Sequence, residues 1–256
     1  MGLFAITRAV SASLGQCELT HQDRVPIDVD RARQQHTAYE ACLKQLGCTL
    51  IRLPEEPDLP DAVFVEDTAF VLNEVAVITR PGANGRRVET TSVAEALRPY
   101  RDIRSIEAPG TIDGGDVLVV DRDIYVGLSS RTNVDAINQM RALLEPHGHR
   151  IHGVEVNGCL HLKSAVTAVA GNVLLVNPDW IDVRTFDRYE IIEIHPDEVY
   201  AANGLLIGKA LMYPIAFPQT AKRLDDRGIR LVPVDLSELA KAEGAVTCCS
   251  LVFTTT

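Results

Sequence analysis

One pattern recurs five times along the 256-residue chain. A β-branched, alternating segment appears at 48–54, 103–109, 149–156, 189–196 and 229–234, and each reads as a strand. Between these strands lie pairs of apolar runs joined by a tight polar turn, which is the mark of a hairpin. Phe70-Val71-Leu72 and Val75-Ala76-Val77-Ile78 flank Asn73-Glu74, and 117–120 and 124–126 flank a turn at 121–123. Residues 166–169 and 173–176 flank Gly171-Asn172, and Leu205-Leu206-Ile207 and Ala210-Leu211-Met212-Tyr213 flank Gly208-Lys209. The fifth hairpin has its halves at opposite ends: Ser250-Leu251-Val252-Phe253 is expected to pair with Leu3-Phe4-Ala5-Ile6 and close a ring.

A helical pattern usually follows each hairpin. Residues 31–46 place Ala32, Tyr39, Leu43 and Leu46 on one stripe, with Gly47 as the stop. Residues 133–144 have Asn133 as N-cap, with Val134, Ile137, Met140 and Leu144 inward. Residues 90–97 and 219–226 are shorter candidates, and 183–188 matches poorly. A unit of hairpin, helix and strand, repeated five times, predicts an α/β fold: a five-bladed α/β propeller of pseudo-fivefold ββαβ repeats, forming a single domain over 1–256. Chemistry would gather at its axis, where strand ends converge.

Composition narrows the function. Hydrophobic residues are 46% and charged residues 23%, enough apolar material for a sizeable core without disulfides or metal. No stretch approaches the ~18 apolar residues of a membrane span. The first eight residues lack the charged leader and long apolar run of a signal peptide, so a cytoplasmic protein is expected. None of the six cysteines forms a C-x-x-C pair. The net charge of −10 speaks against nucleic acid and anionic membranes as partners, and mildly favours a cationic small molecule.

Four polar segments sit at equivalent points of the repeat, each entering a hairpin. They are Asp61-Ala62-Val63-Phe64-Val65-Glu66-Asp67, Thr111-Ile112-Asp113-Gly114-Gly115-Asp116-Val117, Cys159-Leu160-His161-Leu162-Lys163-Ser164, and Gly244-Ala245-Val246-Thr247-Cys248-Cys249-Ser250. Each has a bland reading. Asp-Gly-Gly-Asp is commonly a turn, a histidine between leucines a satisfied core residue, a Cys-Cys pair inert packing, and carboxylates near Val and Phe loop caps. Their joint placement favours function. The spacing suits no structural zinc motif, and no nucleophile elbow, P-loop or dinucleotide fingerprint is present.

Phe64-Val65-Glu66-Asp67, Ile78-Thr79-Arg80-Pro81-Gly82-Ala83, Asp113-Gly114-Gly115-Asp116, Gly127-Leu128-Ser129-Ser130-Arg131-Thr132-Asn133, Leu160-His161-Leu162-Lys163 and Thr247-Cys248-Cys249-Ser250 together resemble the dimethylarginine dimethylaminohydrolase family of the guanidine-modifying (pentein) superfamily. The resemblance runs over almost the whole chain, in the family's motif order. It implies Cys248 as nucleophile, His161 as general acid and base, and Asp113 as the group orienting His161. It implies Asp61, Glu66 and Asp67 as holders of a guanidinium, Arg86 and Arg131 as holders of an α-carboxylate, and backbone at Leu19, Ala242 and Glu243 as receivers of an α-amine. It implies no cofactor and no metal, a small guanidinium amino acid as the binding partner, and is compatible with a homodimer. Leu19-Thr20-His21-Gln22-Asp23-Arg24 departs from the family's lid, which leaves the guanidine substrate open.

The implied chemistry is hydrolysis of Nω-methylated arginine to citrulline and an amine through a covalent thiouronium. Deimination of arginine, amidino transfer, a non-catalytic binder of arginine derivatives and a zinc protein using Cys248 and His161 stand as alternatives. Carboxylates beside Cys248 are expected to keep it a thiol at rest. Alternation along a strand would turn Cys249 away from Cys248, into packing.

Overall fold

The chain reverses direction at Asn73, Gly171 and Gly208 in the computed structural model, which describes residues 2–255. Met1 and Thr256, the outer residues of the expected 1–256 unit, lie outside the described residues. Gly208 has φ +60°, a left-handed value that glycine adopts without cost.

Among the described residues five separate three-stranded sheets result. In the first, β1 (Gly2–Arg8) runs parallel to β2 (Thr49–Leu53). The second holds β3 (Ala69–Val71), β4 (Ala76–Ile78) and β5 (Ile103–Ser105). The third holds β6 (Val117–Val120), β7 (Asp123–Leu128) and β8 (Arg150–Glu155). The fourth holds β9 (Val166–Ala170), β10 (Val173–Val176) and β11 (Glu190–Glu193). The fifth holds β12 (Leu205–Ile207), β13 (Ala210–Pro214) and β14 (Arg230–Val234). In each of these four sheets an antiparallel pair takes its third strand in parallel on the middle one. The first sheet follows the same plan because β15 (Leu251–Thr255) pairs antiparallel with β1, Phe4 opposite Phe253 and Ile6 opposite Leu251. The two halves of the fifth hairpin do meet.

The middle strands β4, β7, β10 and β13 bury both faces, so they read as nearly continuous apolar runs. Alternation sends neighbouring residues into different cores. Val117 and Ile124 join Phe70 and Val77, whereas Leu118 and Tyr125 join Val166 and Leu174. Val169 and Leu175 pack with Leu211 and Tyr213, while Met212 packs with Ala5. Ile6 and Leu251 pack with Ala69 and Ile78. Five apolar clusters thus join sheet to sheet in succession, and one of them joins the fifth sheet to the first.

Helices cover the connections. α1 (Val29–Gln45) starts two residues before the expected 31 because Asp28 accepts a hydrogen bond from Arg31 N at 3.0 Å, and Gly47 at φ +94° ends it. α2 (Thr90–Leu97) and α3 (Val134–Leu144) follow, the latter capped by Asn133 on Ala136 N at 3.1 Å. Ile137, Met140 and Leu144 are buried, but Val134, expected inward, is 56% exposed: as the first helical residue it precedes the stripe. The short α4 (Leu162–Ala165), then α5 (Pro218–Asp225) and α6 (Ser237–Ala240), complete the set. The fourth connection carries only a 3-10 turn, Val183–Phe186, anchored by the single buried Phe186. Among the described residues no helix is long and apolar enough to cross a membrane.

Candidate active site

The four polar segments occupy the same place in their sheets. A 3-10 turn, Val65–Thr68, leads straight into β3, and another, Gly114–Asp116, leads into β6. α4 leads into β9, and a turn over 246–249 precedes β15. Cys248 and Cys249 therefore lie in a turn, and strand alternation is not what separates them. Cys249 packs in the core with its thiol toward Ala245 O at 3.7 Å. Tyr39 pins this turn from beneath, donating to Val246 O (2.9 Å) and meeting Ser250 Oγ (2.7 Å).

The turns converge on one narrow cavity. It is lined by Asp61, Asp67, Arg86, Arg131, His161, Ala242, Glu243 and Cys248, together with Glu18, Phe64, Leu160 and Gly244. Asp113 stands behind this wall, fully buried, with Oδ2 3.1 Å from His161 Nε2. On the other ring edge His161 Nδ1 lies 3.8 Å from Asp67 Oδ1. Burial alone would strip the imidazole of its second proton. Asp67, Asp113 and Asp116 outweigh burial and hold its pKa up to about 9. The ligand atoms of Asp67, Asp113 and His161 lie within 4.8 Å of one another, a spacing that a metal ion could bridge. In the observed geometry the imidazolium supplies the positive charge that these carboxylates face.

Cys248 answers to the opposite influences. Burial first, then the charges of Glu66 and Asp67, push its thiol well above the usual range. Asp61 is also pushed up, by burial, against the pull of Arg86 and of Glu18 N, which donates to its Oδ2 at 3.1 Å.

The two arginines differ. Every nitrogen of Arg86 is engaged: Nη1 with Asp67 at 2.6 Å, Nε and Nη2 with Glu89, and Nη2 also with the carbonyls of Asp61 and Phe64. Arg131 is looser. Its Nη2 donates to Thr20 Oγ1 at 3.0 Å, and its Nη1 lies 3.8 Å from Glu18 and 4.0 Å from Asp113.

Besides Asp113, two of the expected residues lie outside the lining. Glu66 turns away, accepting from Lys163 Nζ and from Thr247 Oγ1 at 2.6 Å. Leu19 is half-buried, and its neighbour Glu18 reaches the cavity instead. Residues 19–24 form an irregular loop over this end. The Glu243 carboxylate accepts from the backbone N–H groups of Thr20 (3.0 Å), His21 (2.5 Å) and Gln22 (2.7 Å). Glu243 itself has φ +57°, the left-handed region. A second, larger and mostly apolar cavity of ≈ 230 Å³ shares the Leu160, Glu243 and Gly244 wall but contains neither His161 nor Cys248.

Reading the sequence assigned no role to three residues. Glu89 is buried against Arg86, and burial raises its pKa to about 7. Asn203 precedes β12 at the place where the other sheets carry their polar turns. Its amide donates to Lys163 O (3.0 Å) and Thr247 Oγ1 (3.1 Å) and accepts from Thr247 N. Its location in the repeat was the available signal. Asp116 is the third.

The glycines of Asp-Gly-Gly-Asp have a reason other than a turn. A β-carbon on Gly114 would lie 1.9 Å from Glu66 O, and one on Gly115 would lie 2.4 Å from His161 Nδ1. Neither glycine has a positive φ. They are there so that two of the turns can touch.

Comparison with known proteins agrees with this geometry. A family profile described as N,N dimethylarginine dimethylhydrolase, eukaryotic, matches residues 16–253. The N(G),N(G)-dimethylarginine dimethylaminohydrolase of Streptomyces coelicolor is 41% identical over 249 residues, 96% of this chain and 95% of that protein. Its counterpart in Pseudomonas aeruginosa is 37% identical over 228 residues, 88% of this chain and 90% of that one. A solved structure of the Pseudomonas aeruginosa enzyme, a cysteine-to-serine variant complexed with citrulline, superposes with a TM-score of 0.94 over 99% of this chain and 100% of that one, at 36% identity. The chain belongs to the dimethylarginine dimethylaminohydrolase family.

Proposed function

We propose that this protein hydrolyses an Nω-methylated arginine to citrulline and a methylated amine, with Cys248 as nucleophile and His161 as general acid and then base. The observation that carries the reading is the convergence of Cys248, the Asp113–His161 pair, Asp61, Asp67 and Arg131 on one cavity, in a chain of this family. The same reading takes the five sheets as blades of one closed α/β propeller. The cyclic order of the five apolar clusters and the β1–β15 pairing support it.

Asp61 and Asp67 face the substrate's guanidinium, and paired hydrogen bonds fix its plane before the thiol. Glu66 acts from behind, holding Thr247 beside Cys248. Arg131 exchanges its Thr20 bond for the α-carboxylate, with Arg86 adding positive charge while it holds Asp67. Backbone groups near Leu19, Ala242 and Glu243 receive the α-amine.

At rest Cys248 is a thiol and His161 an imidazolium. The arriving guanidinium lowers the cost of the thiolate, and the thiol proton leaves to solvent. Sulfur attacks the central guanidinium carbon. As the C–N bond breaks, His161 gives its proton to the departing amine, leaving a thiouronium on Cys248. Neutral His161 then takes a proton from water as its oxygen attacks the same carbon. The C–S bond breaks as the added oxygen gives its remaining proton to solvent, citrulline leaves and the thiolate is restored.

The test is citrulline formation from asymmetric dimethylarginine, monomethylarginine and arginine by the wild type, Cys248→Ser and Cys249→Ser. Activity lost in Cys248→Ser alone supports the assignment, and the preferred substrate names the reaction. A Cys248→Ser variant that turns over like the wild type removes the nucleophile.

A further inference from the structure

Asp116 touches none of the cavity, yet it is fully buried and holds three of the loops that build it. Its Oδ1 accepts from the backbone N–H of Leu162 at 2.8 Å, the residue next to His161. Its Oδ2 accepts from Ser129 Oγ and Thr132 Oγ1, both at 2.6 Å. These hydroxyls pass the contact on. Ser129 Oγ accepts from Arg131 N at 3.0 Å, and Thr132 Oγ1 accepts from Asp113 N at 3.3 Å. A β-carbon on Gly127 would lie 2.6 Å from Asp116 Oδ1, so the neighbouring strand is bare where the carboxylate must fit.

We propose that Asp116 is a positioning residue for the hydrolysis: one buried carboxylate bolts the segments carrying His161, Asp113 and Arg131 into a single rigid unit and lends its charge to the imidazolium. The proposal rests on the roles given to those three residues above. A buried carboxylate is costly, and the cost shows here: burial raises the Asp116 pKa to about 6 even though His161, Ser129, Thr132 and the Leu162 N–H all favour its ionised form. An uncharged side chain of the same shape could still meet part of the hydrogen bonding. What it would lack is the charge.

That charge joins a small set facing His161. Asp67 and Asp113 contact the ring, Cys248 shares its cavity, and Arg86 and Arg131 stand one contact further out, on Asp67 and Asp113. Cys159 reaches only the His161 carbonyl. Removing the Asp116 charge makes His161 release its proton at lower pH. Packing alone does not have that effect.

The experiment compares wild type and Asp116→Asn in citrulline formation between pH 6 and 10, in the titration of His161 followed by NMR, and in thermal unfolding. Asp116→Asn is expected to unfold cooperatively and to lose about tenfold or more in kcat, with a smaller rise in KM. Its His161 titration and the alkaline limb of its activity should both move lower by roughly one pH unit. An unchanged kcat, or a reduced kcat with an unmoved titration, overturns the proposal. If Asp116→Asn does not fold, Thr132→Val decides. It leaves the charge but breaks the link to Asp113, so a wild-type kcat overturns the proposal and a tenfold loss supports it. A wild type that makes no citrulline sinks the functional reading instead, and the His161 titration still tests Asp116.

Discussion

Gly115 and His161 are in contact at a distance that admits no β-carbon: one added to Gly115 would lie 2.4 Å from Nδ1. The ring has nowhere to go, because Asp113 holds its other nitrogen. Gly115→Ala is therefore expected to rotate or displace the imidazole. Forced overpacking of this kind costs about 1–3 kcal/mol. The expected result is a folded protein of lower melting temperature with kcat reduced at least about tenfold, since small misplacements of a reacting group are costly. Steady-state kinetics beside a thermal melt checks it, and a variant with normal kcat would mean the ring is free to yield.

Glu243 latches the loop over the site. Three successive N–H groups converge on its carboxylate. Charge-assisted bonds of this sort, partly exposed to solvent, contribute about 1–2 kcal/mol together, or a factor of roughly 5–30 in an equilibrium constant. Glu243→Gly removes the latch and also relaxes the left-handed backbone at φ +57°. We expect KM to rise by that factor, kcat to change less, and limited proteolysis to cut faster within 19–24. Unchanged KM and cutting would show that the loop is held elsewhere.

A resting thiol awaiting a positive charge should choose its inactivators by charge. A cation ~4 Å from the sulfur at an effective dielectric of ~20 stabilises a thiolate by about 4 kcal/mol. 2-Chloroacetamidine, which is cationic, is expected to inactivate the protein at least about tenfold faster than neutral chloroacetamide. Equal rates would place Cys248 as a thiolate before anything binds.

Stability should fall on the alkaline side. The His161 pKa is raised from about 6.5 to about 9, by Asp67, Asp113 and Asp116 against burial. A raised basic group stabilises the fold fully below its unfolded pKa and loses that contribution as pH climbs through the folded value. At most about 3 kcal/mol is lost in this window for the buried ring. The melting temperature of wild type is expected to drop between pH 7 and 10 more steeply than that of His161→Asn. Parallel curves would show that the ion pairs contribute little.

Local signals carried most of the fold. Asn133, Gly47 and the Gly208 turn act within a few residues of themselves, so they were readable one segment at a time. The β1–β15 pairing was legible only because four complete hairpins exposed an unpaired fifth. The fourth connection resisted because one phenylalanine, Phe186, anchors it and no stripe forms. At the site, types of residue were legible and their partners were not. Nothing in the sequence ties Arg86 to Asp67, turns Glu66 toward Lys163, or joins Asp116 to Leu162, since these contacts form only after separate segments meet.

The strand pairing between the two ends has a bearing on how the protein is made. Ile6 faces Leu251, so the sheet that follows the Cys248 turn cannot assemble until the last strand is available. A ribosome partway through this chain would expose a waiting edge on β1 until β15 has emerged. A chain lacking β15 would keep its histidine and carboxylates but lose the strand pairing that follows its thiol. Joining the ends through a short linker and reopening the chain at the Gly208 turn would reverse that order, letting the first sheet form early.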